Sequence, residues 1–352
     1  MAIEAKRTPR RVLPGMDEQG ITEREASFLE RAFGPENARI VRGLFTNTLS
    51  IVGFALIGLF VMISLLAPVL APPLNPNKPY DIPRDGFSSE PKPPMTEWKR
   101  NAPDVPFWYK PIVGQDRWVH LMGTASGQYD VYYGVIWGAR TAFVVGIIIV
   151  GASVLIGVSI GSVAAYYGRR VDDILMRITE VFMSFPYLMA ALTLSAILVP
   201  RLGRGIYSAM VALTAFGWMS YARLIRGDIL SVKERDYVMA ARVIGAHDRR
   251  ILLRHILPNA IFPTMVYASL DLGSIVLSFA ALSFIGVGTE VGYADWGQIL
   301  SFARAWIPNL TTYWYIVVYP GVALVLFVLS WNLVGDALRD VLDPSMRGRS
   351  GG

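Results

Sequence analysis

The chain has 352 residues, of which 53% are hydrophobic and only 17% charged, with no cysteine and a formal net charge of +6. A soluble chain of this size carries about 25% charged residues, so the composition points to the membrane, and the missing cysteines exclude disulfides, thiolate metal sites and thiol nucleophiles. His120, His247 and His255 lack the mutual spacing of a metal site, and the modest positive charge fits lipid-facing loops rather than nucleic acid.

The N-terminal stretch "MAIEAKRTPRRVLPGMDEQG" has no apolar run behind its charges and is not read as a cleaved signal peptide. "GITEREASFLERAF" then predicts an amphipathic helix, with Thr22 and Glu25 spaced as a capping box and Ile21, Phe28, Leu29 and Phe33 on one stripe. A bilayer span needs about 20 mainly apolar residues, helical because lipid satisfies no backbone group. Windows at Leu49–Ala71, Ala142–Tyr166, Ile178–Val199, Ile206–Ala222, Thr264–Val287 and Tyr315–Gly335 meet that need. The predicted fold is all-α, a polytopic membrane protein with six transmembrane helices.

Between the first two windows lie 11 of the 22 prolines. That density favours extended backbone, with Trp98, Phe107, Trp108, Tyr109 and Trp118 available to pin it to a surface or to a partner outside the membrane. With the N-terminus in the cytosol, cytosolic segments hold eight basic residues before the first window, three in 168–177, eight in 223–254 and three after the last window. The short external loops hold only Arg201, Arg204 and Arg304, so both termini are expected inside. The chain divides into a cytosolic segment 1–48, a first span 49–71, a long Pro-rich external loop 72–141, a five-helix core 142–336 with a cytosolic hairpin 223–260, and a tail 337–352.

Chemistry-bearing motifs are missing. No phosphate loop, H-E-x-x-H or G-x-S-x-G occurs, and "GVGTEVG" follows a span and reads as a helix exit. Gly157, Gly161 and Ala165 recur every four positions and predict close helix packing. Glu180 and Asp336 fall near cytosolic span ends. Asp271 falls well inside the fifth window, where a carboxylate is costly unless it faces a cavity or a polar partner.

One cationic stretch, "YVMAARVIGAHDRRILLRHILPN" (Tyr237–Asn259), separates two apolar windows. Its helix is expected to break near Gly245 and restart at "HDRRILLRH" (His247–His255), with Pro258 and Pro263 shaping re-entry. Small residues at Ala240, Ala241, Gly245 and Ala246 give a smooth tip suited to another protein's groove.

This stretch resembles the cytosolic loop of permease subunits of ABC-type importers, whose pattern is E-A-A-x3-G-x9-I-x-L-P. Ala240, Ala241, Gly245, Leu257 and Pro258 match in spacing, Met239 stands where Glu is usual and His255 where Ile is. "GARTAF", "YYGRRVDDILMRITEVFMSFP", "LSFIGVG", "DWGQIL" and "WNLVGDALRDVLDP" extend the resemblance to the dipeptide/oligopeptide/nickel branch over about residues 123–344. Where that branch often reads G-T-D-x-x-G-R-D, this chain reads Gly123-Thr124-Ala125-Ser126-Gly127-Gln128-Tyr129-Asp130.

The resemblance implies a multi-pass subunit of the bacterial cytoplasmic membrane with type I importer architecture. It implies a second homologous permease, two ATPase subunits that hold ATP and magnesium, and an extracytoplasmic substrate-binding protein, with no cofactor on this chain. The ATPase-coupling residues would be Met239, Ala240, Ala241, Gly245, Ala246, Asp248, Arg249, Leu257 and Pro258. Peptides are the expected cargo, with nickel chelates or other small solutes as the alternative. An ion-coupled carrier acting alone would have only Asp271 to work with.

Overall fold

The computed structural model describes residues 48–342 apart from 101, 104 and 204. The amphipathic helix expected at Ile21–Phe33 and the tail from 343 onward lie outside the described residues. The long helices are α1 (Thr48–Leu70), α3 (Val131–Tyr167), α4 (Arg169–Met183), α5 (Tyr187–Leu202), α6 (Ile206–Lys233), α8 (Asp248–Ile285) and α10 (Tyr315–Leu342). Shorter pieces are α2 (Tyr109–Val113), α7 (Asp236–Val243) and α9 (Trp296–Phe302), and two-residue strands β1 (Thr96–Glu97) and β2 (Val119–His120) pair antiparallel.

Four of these helices, α1, α3, α8 and α10, are long and apolar enough to cross a bilayer, and the bent pair α4–α5 makes up to five among the described residues. The expected sixth span falls in α6, which is long but less apolar. The reason is its position: α6 packs along α3 and also touches α4, α5 and α8, burying Leu213, Tyr221, Ala222, Ile225 and Ile229 completely. A helix with one broad face packed on protein need satisfy lipid over only part of its surface, so hydropathy alone undercounts it.

The span expected at Ile178–Val199 is not one continuous helix. Ser184, Phe185 and Pro186 break it, and α4 and α5 meet at 84°. Pro186 cannot donate to a continuing ladder, and Phe185 before it is driven out of helical backbone. Helix α4 is amphipathic, with Asp172 clamped by Arg226 of α6 through two bonds of 2.5 Å, while Ile174, Ile178 and Val181 stay exposed.

Helices α3 and α6 approach as the small-residue stripe requires. A Cβ on Gly157 would stand 2.5 Å from the Trp218 carbonyl oxygen, and one on Gly161 would overlap that of Ala222. Ala165 is fully buried in the same seam.

The Pro-rich segment is a packed lobe, not an extended linker. Tyr109 and Trp118 stack in its core (ring centroids 4.5 Å apart), and Trp98 stacks on buried His120 at 4.3 Å. Trp137 of α3 donates to the Ala71 carbonyl and Tyr133 to that of Pro79, so α3 reaches into the lobe and fixes it. The residues at the loop's end begin a helix instead: Asp130 caps α3 by accepting from the Tyr133 amide at 2.7 Å. Its other oxygen accepts from His120 Nδ1 at 2.6 Å, and Asp85 lies 3.4 Å from Nε2.

Burial alone would raise the Asp85 carboxyl. The Lys92 ammonium and the backbone N–H groups of Arg100 and Lys99, with His120, reverse this and hold it below the usual carboxylate range. A carboxylate lowered on folding stabilises above its ordinary pKa of about 4 and loses that contribution as pH falls through the lower folded value. Asp130→Ala removes a helix cap, about 1 kcal/mol, and leaves the buried His120 Nδ1 without its hydrogen-bond partner, about 1–3 kcal/mol. Limited proteolysis of reconstituted protein is expected to cut the 72–120 segment faster in Asp130→Ala at pH 7. The parent lobe is expected to stay resistant at pH 5 and to loosen only below about pH 4.

Candidate functional site

Two features stand apart from helix packing: a hairpin at one end of α3 and a cavity between α4–α5, α6 and α8. The lobe and the hairpin occupy opposite ends, because α3 starts in the former and ends against the latter.

The hairpin is α7, a turn at 244–247, and the start of α8. Gly245 makes the turn with φ +79°, a left-handed conformation that favours glycine, and a Cβ there would meet nothing within 4 Å. Its amide donates to the Arg242 carbonyl at 3.0 Å, and that of Ala246 donates to Ala241 at 3.1 Å, so the α7 carbonyls are closed off by the turn. Pro258 lacks an N–H to continue the ladder, and the backbone widens to a π turn over Ile251–Ile256 just before it. The helix then runs through Pro263 without interruption to Ile285.

The hairpin is braced against the bundle. Lys233 Nζ donates to the last carbonyls of α3, Ala165 at 3.2 Å and Tyr166 at 2.8 Å, and the Tyr166 hydroxyl donates to Asp248 at 2.6 Å. Val238, Ala241, Ile251 and Ile256 pack with Ala165 and Ile225 into one small core. The tip is thus tied to α3 and α6 through packed side chains and hydrogen bonds rather than carried on a slack loop.

The sequence-predicted residues separate into two groups. Met239, Ala240, Gly245, Asp248, Arg249 and Pro258 are exposed, Ala246 and Leu257 are half-buried, and Ala241 is buried. Ala241 thus faces the hairpin's own core rather than an approaching surface, because α7 turns that side toward Ile251 and Ile256. Sequence reasoning missed Val243 and Ile244, which are 87% and 83% exposed at the tip. Two adjacent apolar residues beside a turn glycine in a cationic segment were the available signal. Burying them would stabilise a docked state by about 1.5–3 kcal/mol each.

The cavity has a volume of about 450 Å³ and is lined by residues of the α4–α5 bend, α6 and α8, among them Tyr187, Gly217, Ser220, Tyr267, Asp271 and Ser274. Asp271 lies on its wall and accepts from the Tyr221 hydroxyl at 2.8 Å. Tyr267 packs edge-on against Tyr221, with centroids 5.1 Å apart. The 84° bend lies at its wall, with Met183, Phe185, Pro186 and Tyr187 among the lining residues. Glu180 and Asp336, the other ionisable residues of the predicted windows, are both exposed.

Residues 157–348 match the family described as binding-protein-dependent transport system inner membrane component. The peptide transport system permease protein of Brucella suis biovar 1 (strain 1330) is 36% identical over 253 residues, covering 72% of this chain and 81% of that protein. The dipeptide transport system permease protein DppC of Bacillus subtilis (strain 168) is 31% identical over 326 residues, 92% of this chain and 90% of its own length. Oligopeptide permease OppC of the same organism is 30% identical over 302 residues, 86% and 87% of the two chains. A chain in the solved inward-facing MetNI methionine ABC transporter aligns with a TM-score of 0.49 at 21% identity, covering 60% of this chain and 97% of that one. The family match spans more than half of this sequence, and the two Bacillus subtilis relatives match over 86–92% of both chains. This chain belongs to the binding-protein-dependent transport system inner membrane components: it is the membrane-embedded, non-catalytic permease subunit of such a transporter.

Proposed function

We propose that this permease carries peptides inward, paired with a related permease chain above two ATPase subunits and below an extracytoplasmic binding protein. The hairpin carries this reading. It is a rigid, outward-projecting element with an apolar tip, and it is braced to the two helices that form the centre of the bundle. Seated in an ATPase groove, Val243, Ile244 and the Gly245 turn would pass the closing motion to α3 and α6. ATP binding can shift the bundle between outward-open and inward-open arrangements only by favouring one of them. The ATP and magnesium stay on the ATPase subunits. Met239 is exposed beside the tip where Glu is usual, so the partner, not this chain, would meet that difference.

The basic hairpin end faces the cytosol in this reading, with both termini on that side, and the lobe faces outward toward the binding protein. Peptide as cargo is supported by the names of the relatives and by a cavity that joins hydroxyls, aromatic faces and a carboxylate.

Reconstitution in proteoliposomes tests the proposal. With both permeases, both ATPases and the binding protein present, di- or tripeptide uptake is expected to require ATP on the hairpin side. Uptake by the permeases alone, driven by a proton or sodium gradient, would overturn it. In right-side-out vesicles protease is expected to reach the lobe at 72–111 and to spare 235–250; the reverse pattern would invert the orientation.

A further inference from the structure

Asp271 has a partner for one oxygen only. Tyr221 donates to Oδ2 at 2.8 Å, and among the described residues no Lys, Arg or His lies within ion-pair distance of the carboxylate. A carboxylate placed between membrane helices is expensive and is kept where a partner or a water-filled path compensates it. Here the compensation comes from no charged group among the described residues, and the carboxylate opens onto a cavity of about 450 Å³, within the range of small-ligand sites. The surrounding wall suits a cation. Tyr187 and Tyr267 line the cavity with aromatic rings, whose quadrupole attracts positive charge, and Ser274 and Ser278 bring hydroxyl oxygens able to accept hydrogen bonds. Tyr221 is fully buried and ties one carboxylate oxygen, while Asp271 itself lines the cavity.

We propose that Asp271, with Tyr187 and Tyr267, forms a subsite for a primary ammonium group, the α-ammonium of a peptide in passage. An ammonium has three donors and no acceptor, which one carboxylate oxygen and two hydroxyls would satisfy. The subsite is weak by construction: a single carboxylate and two neutral rings bind a cation long enough to orient it, without the second anion that would trap it. This inference rests on the permease reading and on the cavity lying along the transport path.

The absence of cysteine in this chain allows a direct test. Ser274→Cys is placed in a complex whose other subunits are also free of cysteine, and its reaction rates with trimethylammonioethyl and sulfonatoethyl methanethiosulfonate are compared. With Asp271 intact the cationic reagent is expected to be favoured, and in Asp271→Asn the ratio of the two rates should fall by about tenfold. Asp271→Glu, which keeps the charge, should retain the preference and shows that loss in the Asn variant is not misfolding. Trialanine with a free amino terminus should slow labelling when Asp271 is present and do so much less in Asp271→Asn, while N-acetyl-trialanine should protect neither. If the Ser274→Cys thiol reacts with the same charge ratio and the same protection whether Asp271 is kept or replaced in Asp271→Asn, the ammonium subsite is overturned and the permease reading stands. No reaction with either reagent in any nucleotide state would show that the cavity is not on a water-filled path, and would overturn the subsite together with the transport path drawn through it.

Discussion

Gly245→Asp is expected to leave the chain inserted and assembled with its partner permease while abolishing the response of the ATPase to loaded binding protein. Two effects combine at this position. A non-glycine residue at φ +79° is strained by about 1–2 kcal/mol, less for Asp and Asn than for others. The larger effect is a carboxylate carried into a docked apolar contact beside Val243 and Ile244, where an unpaired buried charge costs about 3–5 kcal/mol. At about 1.4 kcal/mol per tenfold, coupling should fall by about two to three orders of magnitude. Gly245→Asn separates the causes, because it tolerates the same backbone and carries no charge; its loss should be much smaller. The isolated chain should bear only that backbone strain, since a Cβ at 245 meets nothing. Ala241→Asp differs in mechanism: it would place the charge in the hairpin's own core and unfold the brace itself. Stimulated ATPase activity in reconstituted complexes measures all three.

Gly161→Val is expected to prevent stable folding of the bundle. The added Cβ would overlap the Ala222 carbonyl oxygen and stand 2.5 Å from Ile225 Cγ2, and backbone cannot rotate away as a side chain can. Overpacking by a single methylene costs about 1–3 kcal/mol where neighbours yield, and here a whole isopropyl group meets a helix that does not. Because α3 and α6 form the centre of the bundle, separating them also disturbs the hairpin brace at Ala165 and Ile225. Gly151, on the same helix with nothing within 4 Å, is the control: Gly151→Val should be nearly neutral. The readout is the yield of monodisperse protein in detergent and its unfolding temperature, not transport.

Much of this was legible in the residues. The apolar windows at Leu49–Ala71, Thr264–Val287 and Tyr315–Gly335 fall on helices, because a lipid-facing surface must be apolar all along and hydropathy registers that. Gly157, Gly161 and Ala165 announced a close helix contact through their spacing, and Gly245 its turn. Other features depended on what lies beside a residue. Nothing in the composition of Ile206–Lys233 shows that one broad face of it packs on protein. The α4–α5 bend was signalled by Pro186, but counting apolar residues from Ile178 to Val199 passed over it, and with it one wall of the cavity. Proline density suggested extended backbone in 72–111, whereas long-range partners such as His120 with Asp85 and Asp130 fold it into a lobe. Asp271 stands out in the sequence as a costly charge, but its Tyr221 partner lies 50 positions away and no local pattern joins them.

The central claim is that the hairpin tip seats against an ATPase subunit and carries its motion to the bundle. A single cysteine introduced at Ile244, in a complex with no other cysteine on this chain, can be fitted with a short photoactivatable crosslinker and irradiated in the assembled transporter. Crosslinking to the ATPase subunit in high yield is expected, with the adducts confined to one groove and their distribution altered when ATP closes the ATPase pair. Crosslinks only to lipid, to the partner permease or to the binding protein in an assembled, transport-active complex would contradict it.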